Sequence, residues 1–495
     1  MNKIKINLFY IIPTLTWSLT SYADYKTDIG YTDLQTLLGA NTPNGAGVNV
    51  LHIESSSVGS TDPTYPIYSP NVNDPVFTGK SFTFPSVAST AVSGHANWVG
   101  GIFYGSNAAM ANGISNIAVY EANAWLNSIA LYSISAPFNG SRLANDSWVG
   151  NDSNQAGLIL RLTDRETQLT DLIQVVGMAN SQSTNPLLSN AYNVIAVGRT
   201  DGGAAYGSSQ VDSVYIGGRT RPDLVTPETL TSAATPEVSA TAALLVQTGH
   251  DAGLNLSKGS NSITGVGTVY DAERAVTIKA ELMAGADRVT HNTSTTANIS
   301  DYGMNGHLST NGLDDRFGAG QVNVLHSYQI ISGGEQNSLE DGGSNNGNIS
   351  LNGFDYDNAF GGEFGSNKTA TYKFSATTSS SLTASLVWNM GVANDANLAT
   401  TLHHLNLELF DVSANSSTAL SASTIDNTQN IWAQLVTGHD YELLVKSGET
   451  TNFSWNYALA WHINPTTPPT PAPVPNAIYL FGSALFIGYR FLNAS

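Results

Sequence analysis

"LTSAATPEVSATAALL", residues 230–245, places a Thr-Ser pair just before Pro236 and then runs into an apolar stretch with helical spacing. Proline is tolerated in a first helical turn, where its missing N–H would have no intrahelical acceptor. Ser232 therefore lies near a helix N-terminus, whose free N–H groups can stabilise an oxyanion. Capping explains the same residues equally well, with the Ser232 or Thr235 hydroxyl accepting one of those N–H groups. The pattern predicts a helix over Pro236–Gln247, with Gly249 at its C-terminal cap.

Upstream, short apolar runs alternate with helical patterns. Strands are expected at Val48–Ile53, Ile117–Tyr120, Leu172–Val176 and Val194–Val197. Helices are expected at Ala96–Phe103, Gln155–Thr170 and Ala272–Ala284, the last capped by Gly285. Such alternation implies a mainly parallel sheet covered by helices. From about Thr369 the period changes to two: Leu382, Ala384, Leu386, Trp388; Leu405, Leu407, Leu409; Phe453, Trp455, Tyr457, Leu459, Trp461. Strands apolar on one face and separated by Ser, Asn, Gly and Asp clusters argue for an antiparallel sandwich. "SGGEQNSLEDGGSNNGN", 332–348, reads as the boundary between the two parts.

Composition narrows the chemistry. With 38 acidic against 19 basic residues and a formal charge of -19, the 495-residue chain lacks the positive field that nucleic acid requires. It has no cysteine, so thiolate metal sites, disulfides and a cysteine nucleophile are excluded. A nucleophile would have to be an oxygen.

Both ends carry apolar segments. "MNKIK", the apolar "INLFYIIPTLTWSLT" and "SYA" before Asp24 follow the order of a secretory signal peptide, with cleavage expected after Ala23. At the other end "NPTTPPTPAPVP", 464–475, reads as an extended spacer, followed by "NAIYLFGSALFIGYRFL". That segment, about 17 residues long, is at the short limit for a membrane span and reads as a tail anchor or sorting signal.

Three further stretches hold candidate residues. In "GAGVNVLHIESSS" an apolar strand ends at Glu54, and open parallel sheets place active sites beyond the carboxyl ends of their strands. A carboxylate there can orient a histidine; a plain exposed acid at a strand end is the simpler reading. His52 shares a strand face with Glu54, as two metal ligands would, but no third ligand is apparent. "SGHANWVGGIFYG" puts His95 at a helix start, and "LIQVVGMANSQ" brings a buried strand out to Asn180, either an oxyanion donor or a turn residue.

Taken together, in the order acid, histidine, asparagine, serine, these blocks resemble the subtilisin-like serine proteases, or subtilases. The family reads roughly V-x-V-I-D-T-G, H-G-T-H-V-A-G, A-G-N and G-T-S-M-A-x-P-H-V-x-G; this chain has "VNVLHIESS", "HANWVGG", "MAN" and "LTSAATPEVSA". "NDSWVG" (145–150) is similar to the family's substrate-binding edge strand, "AYNVIAVGRTDG" to the strand after the oxyanion asparagine, and "RPDLVTP" to the approach to the serine. The resemblance spans about residues 45–335. It implies that Ser232 attacks the scissile carbonyl, His95 transfers the proton, Glu54 orients His95, and Asn180 with the Ser232 N–H holds the oxyanion. Ser147, Trp148 and Gly150 would bind substrate. Four positions depart from the family: Glu54 for aspartate, Leu230 and Ala179 for glycines, and Glu237 for a histidine. Glutamate is one methylene longer than aspartate, so the strand or the histidine must shift to accommodate it.

"PVPNAIYLFGSALFIGYRF" resembles the PEP-CTERM sorting tails, which implies an exosortase-type processing partner, tail insertion in a membrane before processing, and a Gram-negative envelope or extracellular location. The expected fold class is α/β, a subtilisin-like mainly parallel sheet with flanking helices followed by an antiparallel β-sandwich. The expected organisation is signal peptide 1–23, catalytic domain 24–335, sandwich 336–463, linker 464–475 and tail 476–495. The expected function is a secreted serine endopeptidase acting on protein or peptide, with no cofactor required for the chemistry. A catalytically inactive surface binding protein and an esterase are the alternatives. Subtilases often bind structural Ca²⁺, and "LEDGGSNNGN", 339–348, has oxygen ligands at close spacing but lacks the full loop pattern.

Overall fold

The computed structural model describes residues 24–56, 66–86, 88–130, 138–182, 185–293, 297–340, 346–362 and 367–465. The expected signal peptide, the sorting tail and all but the first two residues of the proline-rich spacer lie outside these ranges. Among the described residues no helix is long and apolar enough to cross a membrane.

Seven parallel strands form the first sheet: β1 (Val50–Glu54), β2 (Ser81–Thr83), β3 (Asn116–Glu121), β4 (Leu143–Asp146), β5 (Ile173–Gly177), β6 (Ile195–Arg199) and β7 (Leu224–Thr226), in spatial order β2-β3-β1-β4-β5-β6-β7. Its helices are α1 (Asp24–Asp28), α2 (Tyr31–Leu38), α3 (Gly94–Tyr104), α4 (Ala122–Ile129), α5 (Ala156–Thr170), α6 (Thr231–Ala252), α7 (Ala275–Gly285) and α8 (Val324–Ser332). Successive strand residues alternate between two cores. Val50 belongs to the core that also holds residues of α3, α6, α7 and α8, whereas Leu51 and Ile53 belong to the one that holds residues of α4 and α5. By that alternation His52 and Glu54 share the face of Val50, the face covered by α3 and α6.

A hairpin, β8 (Ser260–Ile263) and β9 (Gly267–Tyr270), precedes α7. Eleven strands follow α8: β10 (Leu339–Glu340), β11 (Asn352–Phe360), β12 (Thr369–Ser375), β13 (Ser380–Val387), β14 (Gly391–Val392), β15 (Thr400–Thr401), β16 (Leu405–Asp411), β17 (Ser416–Ser421), β18 (Thr428–Leu435), β19 (Asp440–Ser447) and β20 (Trp455–Pro465). They build antiparallel sheets ordered β10-β12-β19-β16-β17 and β11-β20-β13-β18, with β14 and β15 as a separate pair. The alternating residues Leu382, Leu386, Trp388, Leu405, Leu407, Leu409, Tyr457, Leu459 and Trp461 fill the core between the two larger sheets. The architecture is the expected α/β sheet followed by an antiparallel sandwich.

Three local expectations change. Helix α6 begins at Thr231, five residues before Pro236, because the Asn180 side chain accepts the Thr231 N–H at 2.8 Å and caps the helix from outside the segment. Gly249 lies within α6, and the helix ends at Gly253, whose φ of 55° suits a residue without Cβ. Helix α7 starts at Ala275 instead of Ala272, because Arg274 is extended (φ -66°, ψ 151°) and separates α7 from the short 3-10 turn Asp271–Glu273.

The second face of the sandwich is also covered. Ala458 and Ala460 of β20 and Val387 of β13 belong to the same core as α7. Thr383 Oγ1 donates to Ala284 O at 2.7 Å, and Asn193 exchanges hydrogen bonds with Met390, its Nδ2 donating to Met390 O at 2.9 Å and its Oδ1 accepting Met390 N–H at 2.8 Å. Small residues facing a helix and large ones facing the partner sheet let both faces of β20 be buried.

Candidate active site

Glu54 ends β1 and is buried, its side chain 4% exposed. Oε1 accepts the Ser55 N–H at 3.1 Å, and Oε2 lies 2.8 Å from Nδ1 of His95. His95 is the second residue of α3, whose start is capped by Ser93 Oγ accepting the Ala96 N–H at 3.2 Å. Its ring is 22% exposed and packs edge-on against Trp98 with centroids 6.0 Å apart. Burial alone would raise the Glu54 carboxyl, but the His95 charge and the polar contacts of His52 and His95 outweigh it and hold the group at about 2. Burial opposes charge on His95 as well, yet the adjoining carboxylate wins and raises the imidazole above its ordinary 6.5. Because a carboxylate only accepts, the proton on His95 sits on Nδ1, which leaves Nε2 as a base.

Strand β4 carries the site sideways. Ile53 pairs with Asp146, so Glu54 and Ser147 emerge at the same level from neighbouring strands. Asp146 Oδ1 accepts the Trp148 indole N–H at 2.9 Å, while its other oxygen is buried without a hydrogen-bond partner among the described residues. Burial, with the Glu54 charge adding to it, outweighs the Trp148 bond and pushes the Asp146 carboxyl up to about 8. At neutral pH Asp146 is therefore largely protonated, and Glu54 is the anion of the pair. Asn145 Nδ2 donates to Ser147 Oγ at 3.0 Å and its Oδ1 accepts from Ser239 Oγ at 2.9 Å, tying the end of β4 to α6.

Ser232 is the second residue of α6 and half-buried. Its Oγ does not cap the helix; it approaches Ser147 O at 3.5 Å. The N–H at this position has no intrahelical acceptor. Asn180, exposed beyond the end of β5, accepts from both the N–H and the Oγ1 of Thr231, at 2.8 and 3.2 Å. Two donors on Oδ1 assign the amide and leave Nδ2 free to donate. Strand β7 leads into this turn from a buried charge cluster: Asp223 lies 3.2 Å from Arg221 and 3.1 Å from Lys279 of α7.

The structure thus joins Glu54 to His95, Asn180 to Thr231, and Ser232 to Ser147, all beyond the carboxyl ends of β1, β4 and β5. Of the expected substrate-binding residues, Ser147 and Trp148 are buried beside Ser232 and Asp146. Gly150 exchanges both main-chain hydrogen bonds with Leu187 at 3.1 Å, so its peptide groups are engaged within the molecule. Thr231, Tyr104 and Asp146 escaped the sequence reading. Thr231 was adjacent to the candidate serine, but its partner Asn180 is 51 residues away.

For cations, His307, Asp314 and Asp315 bring three ligand atoms within 4.8 Å of one another. Arg316 already binds both Asp314 oxygens, at 3.1 and 2.9 Å, and so supplies that carboxylate with a counter-charge. The run 339–348 lies partly outside the described residues.

No protein-family model and no curated protein matches the chain. Among solved structures it is similar to a lanthipeptide protease, with 14% identity over 62% of this chain and 96% of that one and a TM-score of 0.37. It is similar also to the PatG macrocyclase domain, with 13% identity, 60% and 97% coverage and a TM-score of 0.36. A third is MycP1 from Mycobacterium smegmatis, with 14% identity, 66% and 89% coverage and a TM-score of 0.34.

Proposed function

We propose that the protein is a serine endopeptidase of the subtilase type, in which Glu54, His95 and Ser232 form the triad and Asn180 with the Ser232 N–H forms the oxyanion hole. The observation that supports this reading is the 2.8 Å hydrogen bond from His95 to a buried, ionised Glu54, which leaves Nε2 as the ring nitrogen able to act as a base. In the proposed reaction Ser232 Oγ attacks the peptide carbonyl carbon as its proton passes to His95 Nε2. The oxygen of the tetrahedral intermediate accepts hydrogen bonds from Asn180 Nδ2 and the Ser232 N–H. His95 then gives its proton to the departing amine as the C–N bond breaks. Water, deprotonated by His95, releases the acyl group and restores Ser232. No cofactor takes part in the proposed chemistry, and a structural Ca²⁺ would act on stability alone.

A fluorophosphonate probe tests the reading. It should label Ser232 in the folded protein and lose that labelling in His95→Ala; absence of labelling in the parent would overturn the proposal. The engagement of Gly150 by Leu187 favours the second reading, an inactive surface binding protein, because strand addition by a substrate needs free peptide groups. Peptide binding without turnover or labelling would select it. Cleavage of short esters without peptides would select an esterase.

We further propose export with removal of residues 1–23, and processing at the tail by an exosortase-type enzyme. These rest on the basic, apolar and small-residue order of the first segment and the proline-then-apolar order of the last. A secreted form that begins at Met1, or one that retains residues 476–495, would contradict them.

A further inference from the structure

Behind Glu54 stands a second histidine. His52 is fully buried on β1, two residues before the acid and on the same strand face. Its Nδ1 lies 2.8 Å from the hydroxyl of Tyr104, the last residue of α3, and its Nε2 lies 3.7 Å from Glu54 Oε2, the oxygen that holds His95. The second distance exceeds a hydrogen bond, and Nε2 has no other partner among the described residues. Tyr104 is buried against Gly100, one turn earlier in α3. A Cβ at Gly100 would stand 2.5 Å from the tyrosine oxygen, so the missing side chain is what gives that hydroxyl its place.

Proton bookkeeping gives the arrangement a direction. If Nδ1 carried the proton of a neutral His52, the lone pair of Nε2 would face a carboxylate across 3.7 Å of buried space. With the proton on Nε2, an N–H dipole points at the anion and Tyr104 donates to Nδ1. Electrostatics in a low-dielectric interior favours the second tautomer. Burial and the Glu54 charge both raise the Tyr104 hydroxyl far above its ordinary value, so it keeps its proton and can donate. The groups facing Glu54 are then His52 from β1, His95 and, through His52, Tyr104 from α3, and the largely protonated Asp146 from β4.

We propose that Tyr104 and His52 are positioning residues that brace Glu54 from behind, holding its longer side chain in line with His95 and offsetting part of its charge. The arm absorbs the extra methylene that distinguishes Glu54 from an aspartate. It also limits how far the carboxylate raises His95, and so sets the pH at which His95 becomes a base. The kinetic part rests on the triad proposed above; the Tyr104–His52 arm and its effect on His95 do not.

The test is an NMR titration of histidine rings labelled with ¹⁵N in the full chain, which has ten histidines, run beside peptide hydrolysis. Removing the N–H dipole in His52→Leu should move the His95 titration upward by about one pH unit, from the charge–dipole attraction lost across buried, low-dielectric space. The acid limb of kcat/KM should move with it, costing about tenfold below that limb. His52→Gln, which keeps a donor at the same reach, should restore the parent titration, and Tyr104→Phe should give a shift in the same direction but smaller. A merely structural role would lower the rate without moving the limb. The proposal is overturned if His95 titrates as in the parent in folded His52→Leu, or if the Gln variant shifts as far as the Leu variant. Should His52→Leu not fold, an unshifted His95 in Tyr104→Phe overturns it instead. A parent that titrates as described but cleaves nothing would sink the protease reading and leave the arm standing.

Discussion

Glu54 ends β1 and Ser232 lies against Ser147, just past the neighbouring strand β4, yet the two are held in opposite ways. Both Glu54 oxygens are engaged, one by Ser55 and one by His95, and the carboxylate is buried. Ser232 is half-buried, its hydroxyl makes only a 3.5 Å approach to Ser147 O, and Asn180 is fixed through its oxygen alone. The first half keeps one charge throughout the proposed reaction, so strong bonds in the resting protein cost it nothing later. The second half must bond to the substrate, and valence satisfied beforehand would have to be given up during the reaction. An anchored acid beside an unengaged nucleophile is what preorganisation requires of each.

Substitutions on the two sides should break this division with unequal force. Ser232→Ala removes the nucleophile and should lower kcat for a peptide substrate by about 10⁶; a variant that still turns over at the parent rate would reduce Ser232 to a helix residue. Glu54→Gln should cost about 10⁴, because an amide can favour the wrong His95 tautomer and cannot stabilise the imidazolium. Glu54→Asp should keep part of the rate, and Asp62→Asn, in a segment outside the described residues, should keep nearly all of it. Parent activity in Glu54→Gln would mean the acid has been misassigned.

On the unengaged side the effects should be smaller. Asn180→Ala removes one oxyanion donor and should lower kcat by about 10² to 10³ with KM little changed. Thr231→Val removes one of the two donors that orient the amide, and a loss of about tenfold is expected. If the Thr231 variant were as damaging as Asn180→Ala, the two would have to be reckoned as one unit.

The pH dependence separates the halves again. The proposed base must be neutral, and His95 titrates above 6.5, so kcat/KM should rise through a limb on the alkaline side of that value. For stability, Glu54 has a depressed folded value. Its contribution is complete above the ordinary carboxyl range and is lost as pH falls toward about 2. His95 is shifted the other way: its contribution is complete below 6.5 and disappears as pH rises through its folded value. Thermal melts of the parent and His95→Ala should therefore differ most between about pH 4.5 and 6.5 and converge at either side.

Glu281 of α7 supplies the contrast to Glu54. It is equally buried, but both its oxygens lack a hydrogen-bond partner among the described residues, and burial alone raises it well above its ordinary value. The folded protein holds that proton, so Glu281 should weaken the fold progressively as pH rises above the unfolded carboxyl value. Glu281→Gln should flatten the alkaline side of the stability profile and leave peptide hydrolysis unchanged, the smallest effect of the series. An unchanged slope in denaturant titrations at pH 6 and 9 would show that Glu281 does not carry it.

Much of this was legible in the chain. Continuous apolar runs marked β1, β3, β5 and β6 because strands buried on both faces need no polar positions. Period-two alternation marked β13, β16 and β20, and of the ordered candidates Glu54, His95, Asn180 and Ser232 the structure pairs the first two directly. Short strands were harder: β2, β4 and β7 have at most four residues each and too little pattern to register.

What the sequence determined by itself is local: which segments are apolar, with what period, and which polar residues end them. Only the tertiary structure decided that α6 begins at Thr231, since its cap comes from Asn180, and that Gly249 is internal. It alone decided that Ala458 and Ala460 are covered by α7, and that His52 lies between Tyr104 and Glu54. Periodicity records how much of one element is buried. A hydrogen bond between elements depends on where the chain returns in space, and no local pattern carries that distance.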